Sequence, residues 1–100
     1  MQVNEEKLNA LLGKMVGDLG AAVNGALMII GDKLGLYKAL QENGAMTSQE
    51  LADKTGTAER YIREWSSAQA AQGYLEYDDS AQKFSLSAEQ AMVLLTTKVQ

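Results

Sequence analysis

Apolar residues recur at helical spacing along most of the chain, and the pattern changes to strand-like alternation only in the last third. The spacing predicts a first helix over residues 4–16, with Asn4 as its cap, and a second helix over 18–30 that either follows the first or continues it. A further helix is predicted over 32–43. These segments form an N-terminal helical extension.

Capping signals delimit the centre of the chain. Thr47 and Glu50 have the spacing of a capping box at the start of a short helix. Thr57 is predicted to cap the next helix, which runs over about 58–72 and ends at a glycine. Two helices joined by a tight glycine turn predict a helix-turn-helix over residues 47–73.

The chain then alternates between apolar and polar residues on both sides of a polar stretch, which predicts a β-hairpin over 74–87. Ser87 and Gln90 resemble a second capping box and open a predicted C-terminal helix over 88–97. We therefore expect a single domain over residues 1–100, mainly α in the α+β class. The fold predicted is a winged helix-turn-helix with an N-terminal helical extension and a small β-hairpin wing.

The segment 18–30 is apolar around most of its circumference, and a helix of that kind must be buried on all sides. A domain of 100 residues has little core in which to surround one. Small residues at Gly13, Gly17, Ala21 and Gly25 also line one stripe, although each interior glycine costs a helix about 1 kcal/mol relative to alanine. A flexible, poorly formed helix start is the alternative interpretation.

We interpret this segment as a contact between two helices of different subunits, by analogy with small-residue stripes in membrane helices. The helices of residues 1–44 would then form a homodimer. The candidate interface residues are Gly17, Ala21, Val23, Gly25, Leu27, Met28 and Ile29.

Charge argues against nucleic acid as a partner. The chain carries a formal net charge of −4, and residues 47–87 hold four cations against seven anions, the opposite of the balance typical of a DNA-binding module. If the domain did bind DNA, Arg60, Arg63 and Lys83 would be the contacts. Arg60 and Glu64 stand four residues apart, so they are also expected to pair on a solvated helix face.

The sequence offers little chemistry. It contains no cysteine and no histidine, which removes thiol nucleophiles, imidazole bases and most zinc or copper sites. We expect no catalytic, cofactor-binding or metal-binding residue in this chain. Trp65 and Tyr61 could stack a ligand, but their spacing favours a buried apolar anchor.

No signal-peptide pattern is present, and the apolar region from Leu19 to Ile30 is interrupted by glycine and asparagine. It is shorter than a membrane-spanning helix requires. We expect a cytoplasmic protein without a membrane contact.

Three segments, over residues 30–37, 57–65 and 69–77, resemble the N-terminal region of bacterial class I S-adenosylmethionine-dependent methyltransferases that carry a winged-helix domain. The resemblance covers about residues 8–95. It implies a dimerisation module whose helices help to wall the substrate pocket, while a separate Rossmann-like domain downstream binds S-adenosylmethionine and performs the chemistry. No position of this chain inherits a cofactor or methyl-transfer role. Ser66 departs from the larger apolar residue that the family pattern leads us to expect.

Three hypotheses follow. The first is a dimerisation and substrate-lid domain of a methyltransferase, whose catalytic domain is absent from this chain. The alternative is a stand-alone dimeric winged-helix transcriptional regulator that binds DNA. The third is an interaction module that uses its apolar helix to dock a different protein.

Overall fold

The computed structural model describes residues 2–96 and confirms the predicted fold class. The described part of the chain has five helices and a two-stranded antiparallel sheet. In chain order these are α1 (Glu5–Lys33), α2 (Leu36–Asn43), α3 (Ser48–Thr55), α4 (Glu59–Ala71), β1 (Glu76–Asp78), β2 (Lys83–Ser85) and α5 (Ala88–Thr96). The predicted last residue of the C-terminal helix, residue 97, lies outside the described residues.

Helix α1 is one continuous helix of 29 residues, about 43 Å long. The Asn4 side chain caps it as predicted, accepting a hydrogen bond from the Lys7 backbone N–H at 3.2 Å. The two helices predicted over 4–16 and 18–30 are therefore one, which is the continuation that the pattern left open. The prediction of a helix start at residue 32 is wrong, because α1 runs on to Lys33 and Gly35 turns the chain in the left-handed conformation (φ 71°).

The core lies among α2, α3, α4 and the wing, with α5 closing one side. Its apolar side chains are almost fully buried, and Leu36 and Leu51 have no exposed surface. Burial of a leucine of this kind stabilises a fold by about 1.5–3 kcal/mol. The cluster consists of Leu36, Tyr37, Leu40, Met46, Leu51, Ala52, Ile62, Trp65, Leu75, Phe84 and Leu94.

The capping box at the start of α3 is present as predicted. The Glu50 backbone N–H donates to the Thr47 hydroxyl at 3.1 Å, and the Thr47 backbone N–H donates to the Glu50 carboxylate at 2.9 Å. The second of these bonds is the main reason why the pKa of Glu50 is lowered. Helix α3 ends at Gly56, which is left-handed (φ 66°).

The prediction that Thr57 caps the next helix is wrong. The residue at the N-cap of α4 is Ala58, which makes no side-chain cap bond. The Thr57 hydroxyl lies instead 2.8 Å from the Thr55 hydroxyl. The turn between the two helices is therefore held by its own threonines.

The wing is a hairpin of two three-residue strands, in which Tyr77 pairs with Phe84. Phe84 also exchanges backbone hydrogen bonds with Met46, at 2.9 and 2.7 Å, so the wing is tied to the segment before α3. The second predicted capping box is confirmed, since Ser87 and Gln90 exchange reciprocal bonds of 3.1 and 2.8 Å at the start of α5.

Thr47→Ala should lower the free energy of unfolding by about 1 kcal/mol, because it removes the acceptor at the start of α3. Urea denaturation measures the change. Thr57→Ala is the matched control and should cost less, because its hydroxyl caps no helix. Equal losses for the two variants would contradict the special contribution of the Thr47 cap.

Candidate functional site

Helix α1 is the most exposed apolar element of the described chain. Among residues 2–96, it buries only Asn24 and Gly31. Its large apolar side chains face solvent, with Val16 70 % and Leu19 65 % exposed. Monomeric soluble proteins rarely expose a contiguous apolar surface of this kind, so it is the candidate site of interaction.

The exposed side chains form one stripe. Leu8, Leu12, Met15, Leu19 and Val23 follow one another at spacings of four, three, four and four residues, which places them on one face of a helix. We call these five residues the apolar stripe. Each is at least 43 % exposed. The residues before Gly20 stand beyond the core, and we call residues 5–20 the arm.

Gly31 seats the other end of α1 on the domain. A Cβ atom at this position would lie 2.6 Å from Trp65 Cζ2 and 2.6 Å from Tyr37 Cε2, closer than atoms can approach. The two rings pack against each other with centroids 5.2 Å apart. The Trp65 indole N–H also donates to the Leu27 carbonyl at 2.8 Å. The absence of a side chain at Gly31 thus lets α1 lie directly on two aromatic rings.

A chain of buried hydrogen bonds makes a second attachment. The Tyr37 hydroxyl donates to the Gln69 amide oxygen, and the Gln69 amide nitrogen donates to Asn24 Oδ1 at 2.8 Å. Gln69 has no exposed surface, and Asn24 is 6 % exposed. Burial, reinforced by the charge of Asp32, raises the pKa of Tyr37, so its hydroxyl keeps the proton that it donates.

The predicted interface residues do not share one face. Val23 and Ile29 are exposed, whereas Leu27 and Met28 are half-buried and pack against the domain's own core. Sequence reasoning did not include Leu8, Leu12, Met15 and Leu19 among the candidates. Their helical spacing could have identified them as one face, but only if the two predicted helices are treated as one continuous helix.

Four glycines of α1 have no close neighbours within the described chain. A Cβ atom added at Gly13, Gly17, Gly20 or Gly25 would have no neighbour within 4 Å. These glycines are therefore not required by contacts inside the described part of the chain, unlike Gly31. Gly13, Gly17 and Gly20 leave the backbone of the arm open to approach from outside.

Helix α1 is long and apolar enough, by length and composition alone, to cross a membrane. The expectation that its apolar region is too short is therefore corrected, because the helix is continuous. One such helix is weak evidence of a membrane contact, since helices of soluble proteins also satisfy this criterion.

The helix-turn-helix places its cations beside carboxylates. Arg63 Nε lies 3.9 Å from Glu59 on α4, so the pair seen there is not the expected Arg60 with Glu64. Lys83 shares an open groove with Glu50 and contributes to the lowered pKa of that carboxyl, after the hydrogen bond from Thr47.

Tyr61 corrects another expectation. It is 71 % exposed, whereas Trp65 is buried, so the two do not form a common anchor. Tyr61 precedes Ile62 and stands on the outer face of α4, where its ring has no part in the core cluster. Trp65 alone is the apolar anchor that the spacing indicated.

Two further features concern chemistry. Among the described residues, no group of three or more histidine, cysteine, aspartate or glutamate side chains is placed to hold a metal ion. A groove of about 640 Å³ lies between α3, α4 and the wing, lined in part by Ser67, Arg63 and Tyr77. It is open to solvent.

Comparison with known proteins identifies the domain. Among solved structures, the chain is similar to the mitomycin 7-O-methyltransferase MmcR, with a TM-score of 0.74 and 26 % identity over 89 % of this chain and 26 % of that one. The S-adenosylmethionine-dependent methyltransferase SibL in its apo form gives a TM-score of 0.72 and 21 % identity, over 85 % of this chain and 24 % of that one. A protein of Nostoc punctiforme PCC 73102, assigned as an O-methyltransferase, gives a TM-score of 0.70 and 23 % identity, over 79 % of this chain and 23 % of that one.

The chain thus spans about a quarter of the length of these structural relatives. Comparison with curated proteins gives no match. Residues 22–96 match the model of the Rv2258c-like winged HTH domain. The matched segment is three quarters of the chain, and the chain belongs to the Rv2258c-like winged HTH domain family.

Proposed function

We propose that this domain is the dimerisation and substrate-lid domain of an S-adenosylmethionine-dependent methyltransferase, and that two copies pair through their α1 helices. The observation that carries the proposal is the exposed apolar stripe, four of whose five residues lie on the arm. The structural relatives support the enzyme class, since they are methyltransferases. The cofactor and the catalytic residues would then belong to another domain of the enzyme.

Burial of the stripe would provide the driving force. Leucine and methionine side chains each gain about 1.5–3 kcal/mol when they move from full exposure to full burial. The stripe supplies Leu8, Leu12, Met15 and Leu19, all about half-exposed, and a twofold axis would double that contribution. The open glycines on the arm would allow the two backbones to approach closely.

The predicted interface residues belong to this proposal in two groups. Gly17, Ala21, Val23, Gly25 and Ile29 are exposed in the described chain and remain candidates for the contact. Leu27 and Met28 already pack in part against the core, so they would hold α1 on the domain and would contribute less to the contact with the second copy. We add Leu8, Leu12, Met15 and Leu19 to the candidates.

The lid role rests on a groove between α1 and α4. The groove has a volume of about 300 Å³, and its walls include Leu19, Val23, Leu27 and Ala71. Small-molecule sites of enzymes are concave and mostly apolar, and they often lie where domains meet. Leu19 and Val23 belong also to the apolar stripe, so we propose that the paired α1 helices and this groove together wall the apolar part of the methyl acceptor.

A cytoplasmic location is part of the proposal. The absence of cysteine from the sequence is consistent with a reducing compartment. The apolar length of α1 is then used for pairing and not for crossing a bilayer.

DNA binding is not favoured. The groove between α4 and the wing contains Arg63, but Glu59 lies beside that side chain. Asp78 and Asp79 stand exposed on the wing. Like charges on the wing would oppose the contact that a DNA-binding winged helix requires.

Leu19→Asp should convert a dimer into a monomer, because it places a charge in the centre of the apolar stripe. Sedimentation equilibrium of the 100-residue chain at micromolar concentrations measures the change. Met92→Asp is the matched control, since Met92 is 70 % exposed on α5, away from the stripe, and this variant should remain dimeric.

Two results would overturn the dimer proposal. One is a wild-type chain that sediments as a monomer at every concentration tested. The other is a Leu19→Asp variant that sediments like wild type. A monomer that binds phosphatidylcholine vesicles through the stripe would assign the same surface to a lipid instead of a second copy.

We expect no saturable binding of the domain to a labelled random-sequence duplex at about 50 mM salt, where phosphate contacts are strongest. The reasons are the carboxylate near each cation, Glu59 beside Arg63 and Glu50 near Lys83, and the excess of anions over residues 47–87. Fluorescence anisotropy measures it. Binding that Arg63→Ala weakens and Lys14→Ala leaves intact would instead support the regulator hypothesis.

A further inference from the structure

The buried contact between α1 and the domain runs from Asn24 to Gly31, and the bond from the Trp65 indole to the Leu27 carbonyl lies between its two ends. One end is the seat of Gly31 on the two aromatic rings. The other is Asn24, whose amide oxygen meets Gln69 of α4. The two ends are seven residues apart, or about 10 Å along the helix axis.

The contact between Asn24 and Gln69 is polar, although both side chains are buried. An apolar contact of similar size would stabilise the domain at least as well, because burying amide groups has a desolvation cost that hydrogen bonds only offset. Polar pairs differ from apolar ones in being directional. The Gln69 amide nitrogen needs an acceptor in one place, whereas a leucine would accept several tilts of the neighbouring helix.

The neighbours of Asn24 on the same face of α1 cannot replace it. One turn earlier stands Gly20, which has no side chain, and one turn later stands Met28, whose sulfur is a weak acceptor. Asn24 Nδ2 already donates to that sulfur at 3.6 Å. Gln69 in turn is fixed from the other side by the Tyr37 hydroxyl. The chain of bonds is therefore complete in one arrangement of α1.

We propose that the Asn24–Gln69 hydrogen bond, held in place by Tyr37, sets the direction in which the arm leaves the domain. Gly31, with the Trp65–Leu27 bond beside it, acts as the pivot, and Asn24 is the outermost buried contact of the helix. Lys14 on the arm lies about 25 Å from Gly31 along the helix, so a displacement at Asn24 grows more than twofold at Lys14. Gln69 is in this sense a positioning residue for the arm.

The effect of the Asn24–Gln69 bond on how two chains pair rests on the proposed function. Its effect on the direction of the arm does not, because that direction is set within one chain. If two arms pair, their crossing relative to the two domains depends on this bond. Each domain would then lie at one fixed angle to the paired arms, and a lid over a neighbouring site requires such a fixed angle.

The experiment measures distances within one chain by double electron–electron resonance. The sequence has no cysteine, so Lys14→Cys with Asp53→Cys gives a unique pair of spin labels between the arm and α3. Lys33→Cys with Asp53→Cys gives a reference pair beside the pivot. Labelled protein is mixed with an excess of unlabelled protein of the same variant, so that distances between chains do not contribute.

Asn24→Ala should shift or broaden the distance distribution from position 14 by about 5 Å, for a tilt that moves α1 by about 2 Å at residue 24. The distribution from position 33 should stay unchanged. Asn24→Asp keeps an acceptor oxygen and should restore the parent distribution. Alanine favours helix, so the first variant should keep α1 intact, which circular dichroism checks.

A second variant separates direction from stability. Asn24→Leu with Tyr37→Phe and Gln69→Leu replaces the whole polar chain by apolar groups, and it should fold at least as stably as the parent while the distribution from position 14 broadens. Leu51→Ala, a destabilising change elsewhere in the core, should leave that distribution unchanged in the folded protein.

Parent-like distributions from position 14 in both Asn24→Ala and the triple variant would overturn the proposal. Sedimentation of the same samples reports pairing independently. A monomeric parent would contradict the proposed function alone, whereas an unmoved arm would contradict the positioning role alone.

Discussion

The packing of Gly31 on the rings of Trp65 and Tyr37 is the contact on which the arrangement of the rest depends. It lets the backbone of α1 reach the core directly, since any side chain at this position would collide with the rings. The Trp65 indole then bonds the Leu27 carbonyl. Because this seat lies near the C-terminal end of α1, most of the helix extends away from the core. The exposed arm is thus a result of where the seat is.

The helix-turn-helix has a structural part in this arrangement. Helix α4, which would read DNA in a regulator, turns Trp65 and Gln69 inward to hold α1 and α2. Its outer face carries Glu59 beside Arg63. The wing is short and is anchored to Met46 by Phe84. The helix-turn-helix, with the wing tied beside it, therefore holds α1 in place. The most exposed apolar surface lies on α1 itself.

Sequence reasoning succeeded where local physics decides the structure. Capping at Asn4, Thr47 and Ser87 depends on residues within one turn of each other, and the hairpin follows from alternation beside a polar loop. The start of α2 was missed because residues 32 and 33 suit a helix start as well as a helix end. Only the left-handed turn at Gly35 decides between them.

The contacts that could not be predicted are long-range. Gln69 and Asn24 stand 45 positions apart, and in sequence each is an ordinary polar residue of a helix. Tyr61 and Trp65 share a helical spacing, and only the packing of α1 and α2 decides that Trp65 is buried and Tyr61 exposed. The interaction surface was predicted on the segment that forms α1, which also carries the exposed apolar side chains, but their stripe became visible only when the predicted helices were joined into one.

Hydrogen exchange of the arm at different protein concentrations tests the central claim most directly. Residues 5–20 have few contacts within the chain, and a helix of about that length is marginally stable alone in water. If a second copy covers the stripe, the amides of the arm will be protected at high concentration and will lose that protection on dilution, while those of α4 keep theirs. Protection of the arm that does not change with concentration would contradict the claim.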